Sequence, residues 1–158
     1  MKKGLIPVIL VVTLIAVLAL PGCKGTIGSG EVITEKKDFK NFTSLDISSA
    51  FEVDITQSST YSVVISADED IFDYIEVTQT GSKLTIYLNP RHIFTDFTLG
   101  RRVLKAEISM ASLHGLELSG ASKGTITGFQ SASPLVLDVS GASTLKLVNI
   151  VAGDTNFD

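Results

Sequence analysis

From Glu31 onward apolar side chains recur at every second position, in short runs. Leu45-Asp46-Ile47, Phe51-Glu52-Val53-Asp54-Ile55, Tyr61-Ser62-Val63-Val64-Ile65, Tyr74-Ile75-Glu76-Val77 and Leu84-Thr85-Ile86-Tyr87-Leu88 are rich in β-branched and aromatic residues. Such alternation turns one face of an extended strand toward a core and the other toward water. Ser48-Ser49-Ala50, Gln57-Ser58-Ser59-Thr60 and Thr80-Gly81-Ser82 divide the runs with small polar residues suited to turns. One stretch departs from the pattern. Asp68-Glu69-Asp70-Ile71-Phe72-Asp73 predicts at most one helical turn, with Asp68 as its N-cap. No amphipathic helix of ordinary length is present, so the body of the chain reads as nearly all β.

The second half repeats. Leu116-Glu117-Leu118-Ser119-Gly120-Ala121-Ser122 returns as Leu137-Asp138-Val139-Ser140-Gly141-Ala142-Ser143, an offset of 21 residues. Thr125-Ile126-Thr127 and Leu145-Lys146-Leu147 follow the two copies. Leu45-Asp46-Ile47-Ser48-Ser49-Ala50, then Phe51-Glu52-Val53, is a degenerate earlier copy without the glycine. A fixed strand–turn–strand period predicts a solenoid whose coils bury their faces against one another. At about 3.3 Å per strand residue, one period makes one turn of a three-sided parallel coil. The expected fold is a single-domain, all-β parallel β-solenoid, with an antiparallel β-sandwich as the alternative. In the coil, Gly120 and Gly141 take equivalent corners, where positive φ is cheap only for glycine. Ser119 over Ser140 and Ser122 over Ser143 form hydroxyl ladders, the leucines face inward, and Glu117, Asp138 and Lys146 face outward. Phe157-Asp158 parallels Leu137-Asp138 at an offset of 20, so residues 31–158 read as a domain truncated at its C-terminus.

The first residues obey another rule. Met1-Lys2-Lys3 precedes an uncharged apolar run from Gly4 to Leu20, and Leu20-Pro21-Gly22-Cys23 follows. Basic start, apolar run and small residue before a cut describe a secretory signal peptide over 1–22. Leu-Pro-Gly-Cys resembles the bacterial lipobox, and Cys23 is the only cysteine of the chain. The expectation is that Cys23 carries the lipid and that residues 23–30 form a Gly-rich tether to the domain. This places the protein outside the cytoplasm, held to a bacterial membrane by its N-terminal lipid.

Charge narrows the partners. Of 13 basic residues Lys2 and Lys3 leave with the leader, so 11 face 17 acidic ones, a net charge of about −6. An acidic body is a poor match for nucleic acid, which needs clustered Lys and Arg. With Cys23 acylated, neither a disulfide nor a cysteine metal site is available, and no cofactor is expected. Asp68, Glu69, Asp70 and Asp73 are the densest acidic group, yet lack the alternate-position ligands of a Ca²⁺ loop and read as a structural turn. Arg91, His92, Arg101 and Arg102 flank the least regular stretch and form a candidate loop for an anionic glycan or peptide. A hydrolase or lyase on a β-helix would need paired carboxylates with a base. Glu117 and Asp138 have no base assigned, and His92 and His114 have no third ligand or nucleophile nearby.

Three segments in order resemble a known family. They are Gly28-Ser29-Gly30 with Phe42-Thr43-Ser44-Leu45-Asp46-Ile47; Ser66-Ala67-Asp68 through Glu76 with Gly81-Ser82-Lys83-Leu84-Thr85-Ile86; and the repeated Leu-x-Leu-Ser-Gly-Ala-Ser. Together they resemble the auto-transporter adhesin head GIN domain family of bacterial envelope proteins, over about residues 31–158. The resemblance implies a β-solenoid and an exported or lipid-anchored protein, and brings no catalytic residues. Two functions follow as expectations. One is an adhesin-like binding module for an envelope polysaccharide or surface protein; the other is a structural or assembly component of the envelope. The absence of Trp removes the strongest platform for sugar stacking.

Overall fold

The computed structural model describes residues 31–89 and 102–158. The leader, the tether with Cys23, and Arg91, His92 and Arg101 lie outside the described residues. Val32–Lys37 forms β1, Ser44–Ile47 β2, Glu52–Gln57 β3, Ser62–Asp68 β4, Ile75–Thr80 β5 and Lys83–Leu88 β6. Leu104–Met110 forms β7, Gly115–Leu118 β8, Lys123–Thr127 β9, Leu135–Val139 β10, Thr144–Val148 β11 and Thr155–Phe157 β12. Glu69–Phe72 makes a single helical turn, α1. The protein is all-β, with two mixed six-stranded sheets, neither closed. Sheet A runs β1-β4-β7-β3-β9-β11 and sheet B runs β12-β10-β8-β2-β6-β5.

The repeat governs the register. β8 and β10 pair in parallel with Leu116 opposite Leu137 and Glu117 opposite Asp138. β9 and β11 do the same with Ile126 opposite Leu147. The degenerate copy joins them, because β2 places Leu45 beside Leu116 and β3 places Ile55 beside Ile126. Phe157 on β12 stands opposite Leu137. An offset of 21 residues brings like positions together, so apolar side chains stack on apolar ones inside and polar ones line up outside. Leu45, Leu116 and Leu137 are buried in sheet B, and Val53, Ile55 and Ile126 in sheet A. Each such side chain contributes about 1.5–3 kcal/mol of burial.

The first half does not follow a uniform parallel coil. β4 pairs antiparallel with both β1 and β7, and β5 pairs antiparallel with β6. The repeat copy formed by β2 and β3 is also out of chain order, lying between β6 and β8 in one sheet and β7 and β9 in the other. Between the two sheets' strands, Gln130 and Val151 form one isolated parallel bridge.

The two ends of the stack differ. At the β1 end, α1 buries Ile71 and Phe72, and Lys37 Nζ sits 5.3 Å from the Phe72 ring centroid. At the β11–β12 end the inward-register side chains meet solvent: Leu147 is 38% exposed and Phe157 62%.

Candidate functional site

Sheet B presents an outward row dictated by its register. Asp138 on β10, Glu117 on β8 and Asp46 on β2 are direct neighbours, with Thr85 of β6 next. One row back stand Val136, Gly115, Ser44 and Lys83. Gly115 carries no side chain, so the surface dips there into a groove of about 340 Å³. Ser44, Lys83, His114, Glu117 and Asp138 are among its lining residues. Strands hold these groups at fixed spacing of about 4.8 Å from one to the next, which pre-orders donors and acceptors for an extended ligand.

The electrostatics follow from the row. Lys83 Nζ reaches across to donate to Glu117 Oε1 at 2.6 Å. That hydrogen bond raises the Lys83 ammonium above its ordinary value. Asp46 lies beside Glu117, and its carboxyl is raised, first by partial burial and then by the Glu117 charge, with Lys83 opposing. The face therefore offers an ammonium, carboxylates, a hydroxyl and the exposed His114 imidazole to solvent.

The outer face of sheet A carries hydroxyls and charged pairs. Ser62, Ser109, Thr56 and Thr127 form one row of hydroxyls, and Thr56 Oγ1 and Ser109 Oγ are 3.2 Å apart. Lys105 bridges Asp54 at 3.2 Å and Glu107 at 3.1 Å.

The residues singled out from sequence fall into separate places. Arg102 is the described member of the basic loop set; its Nη1 donates to Asp70 Oδ2 of α1. It lines a second groove, of about 380 Å³, together with Lys105, Lys123 and Glu52. Asp68 stands at the N-cap position of α1 but makes no side-chain cap. Its Oδ2 instead accepts the Val103 N–H at 3.3 Å, because Asp68 also ends β4 and its side chain turns toward the neighbouring strand. Among the described residues no group of three His, Cys, Asp or Glu is placed to hold a metal ion.

Gly120 and Gly141 have φ of +64° and +68°, and the residue after the first, Ala121, has +69°. The degenerate copy keeps this conformation without glycine: Ser49 has φ of +71° and Ala50 +63°. The serine ladder takes a different form from stacked hydroxyls. Ser143 Oγ accepts the Ser122 backbone N–H at 3.1 Å, and Ser140 N–H donates to Leu118 O at 3.0 Å. Ser122 Oγ is buried without a hydrogen-bond partner, and Ser119 N–H donates to Ile47 O at 2.9 Å.

A second set of cross-coil bonds escaped the sequence reading. Gln57 Nε2 donates to Ala111 O, and Gln57 Oε1 accepts the Gln130 N–H, both at 3.1 Å. Gln130 Nε2 donates onward to Asn149 O at 3.0 Å. Gly128 and Asn149, both at positive φ, mark the neighbouring corner at the same 21-residue offset. That offset was the available signal.

The family model described as "Putative auto-transporter adhesin, head GIN domain" matches residues 41–157. The chain resembles a solved putative adhesin from Bacteroides fragilis NCTC 9343 at 19% identity and TM-score 0.63, covering 82% of this chain and 62% of that one. It resembles a putative adhesin from Parabacteroides distasonis ATCC 8503 at 16% identity and TM-score 0.60, covering 82% and 57%. A solved putative lipid binding protein from the same organism matches at 18% identity and TM-score 0.57, covering 83% and 61%. These likenesses concern the fold, and the chain spans less than two thirds of each of the three. No curated protein matches.

Proposed function

Because the chain belongs to the auto-transporter adhesin head GIN domain family, we propose that it is an exported, adhesin-like binding module of the bacterial envelope. In this reading residues 1–22 are the signal peptide, Cys23 carries the lipid, and residues 23–30 tether a short β-solenoid to the membrane. Parallel in-register pairing of three repeat copies supports the solenoid. The ligand is an envelope polysaccharide or a surface protein, held through hydroxyls, amides and amines rather than by ring stacking.

One observation carries the binding role: the groove over Gly115, where rigid strands gather Lys83, Ser44, His114, Glu117 and Asp138 on an open face. Loops and faces on a rigid scaffold are the usual place for recognition. A raised carboxyl beside a second carboxyl also serves acid–base catalysis. Here the pair lies on a solvated sheet face that does not enclose a substrate, so the proposal is binding without catalysis.

Gly115→Leu tests it. A Cβ at Gly115 meets Ser44 Oγ at 3.4 Å and no backbone atom closer than 3.8 Å, so a side chain fills the groove without displacing a strand. The soluble mature chain with Cys23→Ser should bind purified envelope polysaccharide or surface protein, and Gly115→Leu should weaken that binding at least tenfold at unchanged melting temperature. Equal binding by both proteins would remove the groove from the account.

A further inference from the structure

Each full repeat copy carries an acid on the outward side of its first strand and a lysine on that of its second. Glu117 on β8 is followed by Lys123 on β9, and Asp138 on β10 by Lys146 on β11, all four exposed. The degenerate copy keeps only the acidic half, with Asp46 on β2 but Glu52 and Asp54 on β3. Both sheets line one hydrophobic core, so their outward faces look to different sides of the molecule. Register then gathers the acids on sheet B, as the row Asp46–Glu117–Asp138, and these two lysines on the β9–β11 part of sheet A.

The outward positions of β9 and β11 are Lys123, Thr125, Thr127, Thr144, Lys146 and Val148, with no acid among them. Lys123 stands opposite Glu52 of β3, yet neither it nor Lys146 makes an ion pair among the described residues. On sheet B the same holds for Asp46 and Asp138, while Lys83 engages the Glu117 between them. Asp46 and Asp138 are two strand spacings apart, about 9.6 Å. Lys123 and Lys146 are on neighbouring strands, two residues out of register, about 8 Å apart. Flexible lysine arms cover the difference.

We infer that the β9–β11 face of one molecule docks on the acidic sheet B row of a second molecule of this chain. This goes beyond the proposed function, since it requires neither the ligand of the Gly115 groove nor the lipid. The two surfaces differ, so the contact is heterologous and leaves one face of each kind open for a further molecule. Exposed ion pairs are individually weak and are screened by salt. The association is therefore weak between single molecules and grows where many copies meet.

Sedimentation of the mature Cys23→Ser chain tests the contact. At about 100 mM salt its average mass should rise with concentration, and at about 500 mM salt most of that rise should vanish. Lys123→Glu with Lys146→Glu should stay monomeric, as should Asp46→Lys with Asp138→Lys. Mixing the two variants should restore association, because each still carries the face that the other needs; misfolded variants would not recover it. Lys36→Glu with Lys40→Glu makes the same charge change away from the patch and should associate like the parent. A parent that remains monomeric up to about 1 mM would overturn the inference. So would loss of association in the Lys36/Lys40 variant, which would assign the effect to overall charge. A monomeric parent that binds an acidic polysaccharide such as polygalacturonate through Lys123 and Lys146 would give the patch to a polymer and overturn it as well.

Discussion

Ser49 and Ala50 occupy a backbone conformation that their repeat partners entrust partly to glycine. A left-handed conformation costs an L-residue about 1–2 kcal/mol, part of which glycine returns through its freer unfolded chain. Ala50→Gly should therefore stabilise the domain by about 0.5–1 kcal/mol in chemical denaturation. The two repeat glycines differ in the opposite sense. A Cβ at Gly120 would lie 2.9 Å from the backbone nitrogen of Ser49, whereas at Gly141 the nearest atom is Gly120 N at 3.5 Å. Gly120→Val should cost clearly more than Gly141→Val, with the former above about 1 kcal/mol because strain and clash add. Asp46 supplies the pH dependence. Its folded-state pKa is raised, so its contribution to stability is fully present below the ordinary carboxylate value and is lost as pH rises through the folded value. Melting temperature should accordingly fall less steeply with rising pH, across the acid range above the usual Asp value, in Asp46→Asn than in the parent.

The strands that alternate strongly were legible in the sequence. β2, β3, β4, β5 and β6 fall within two or three residues of the runs read from residues 45–88. β7 was not among those runs, although Ala106, Ile108 and Met110 alternate inward along it. Its Leu-Lys-Ala-Glu-Ile-Ser-Met composition is that of a good helix former, and only pairing with β3 and β4 makes it a strand. β1, with Glu35, Lys36 and Lys37, reads as polar; as a sheet edge it needs that charge to discourage further pairing. The partners of β4 and β5 were out of reach because no repeat encodes them. The turn at Gly128 and Asn149 is held by amides rather than by an apolar pattern, so hydrophobic alternation passed over it and only its 21-residue offset marked it. Gln57 makes two of those bonds, so Gln57→Ala should destabilise by about 1 kcal/mol at a surface site where a single truncation is otherwise nearly silent.

At the scale of the molecule, a repeated sequence converts into surface. Because the repeat copies pair in register, one acidic position per copy becomes the row Asp46–Glu117–Asp138, and one glycine becomes the groove beside it. The sequence showed that Glu117 and Asp138 would be neighbours; Lys83 and Ser44 joined them through the out-of-order placement of β2, which no local pattern announces. Everything functional in this account depends on that register, and oxidative cross-linking measures it directly. In a Cys23→Ser background, Glu117→Cys with Asp138→Cys joins residues that face each other across β8 and β10, within the 4.4–6.8 Å Cα range a disulfide tolerates. Glu117→Cys with Ser140→Cys is displaced by two residues, one row out of register. The first pair should close nearly completely under mild oxidation without loss of stability, and the second should remain reduced. Closure of the displaced pair in preference to the first would contradict the parallel register and the surface built on it.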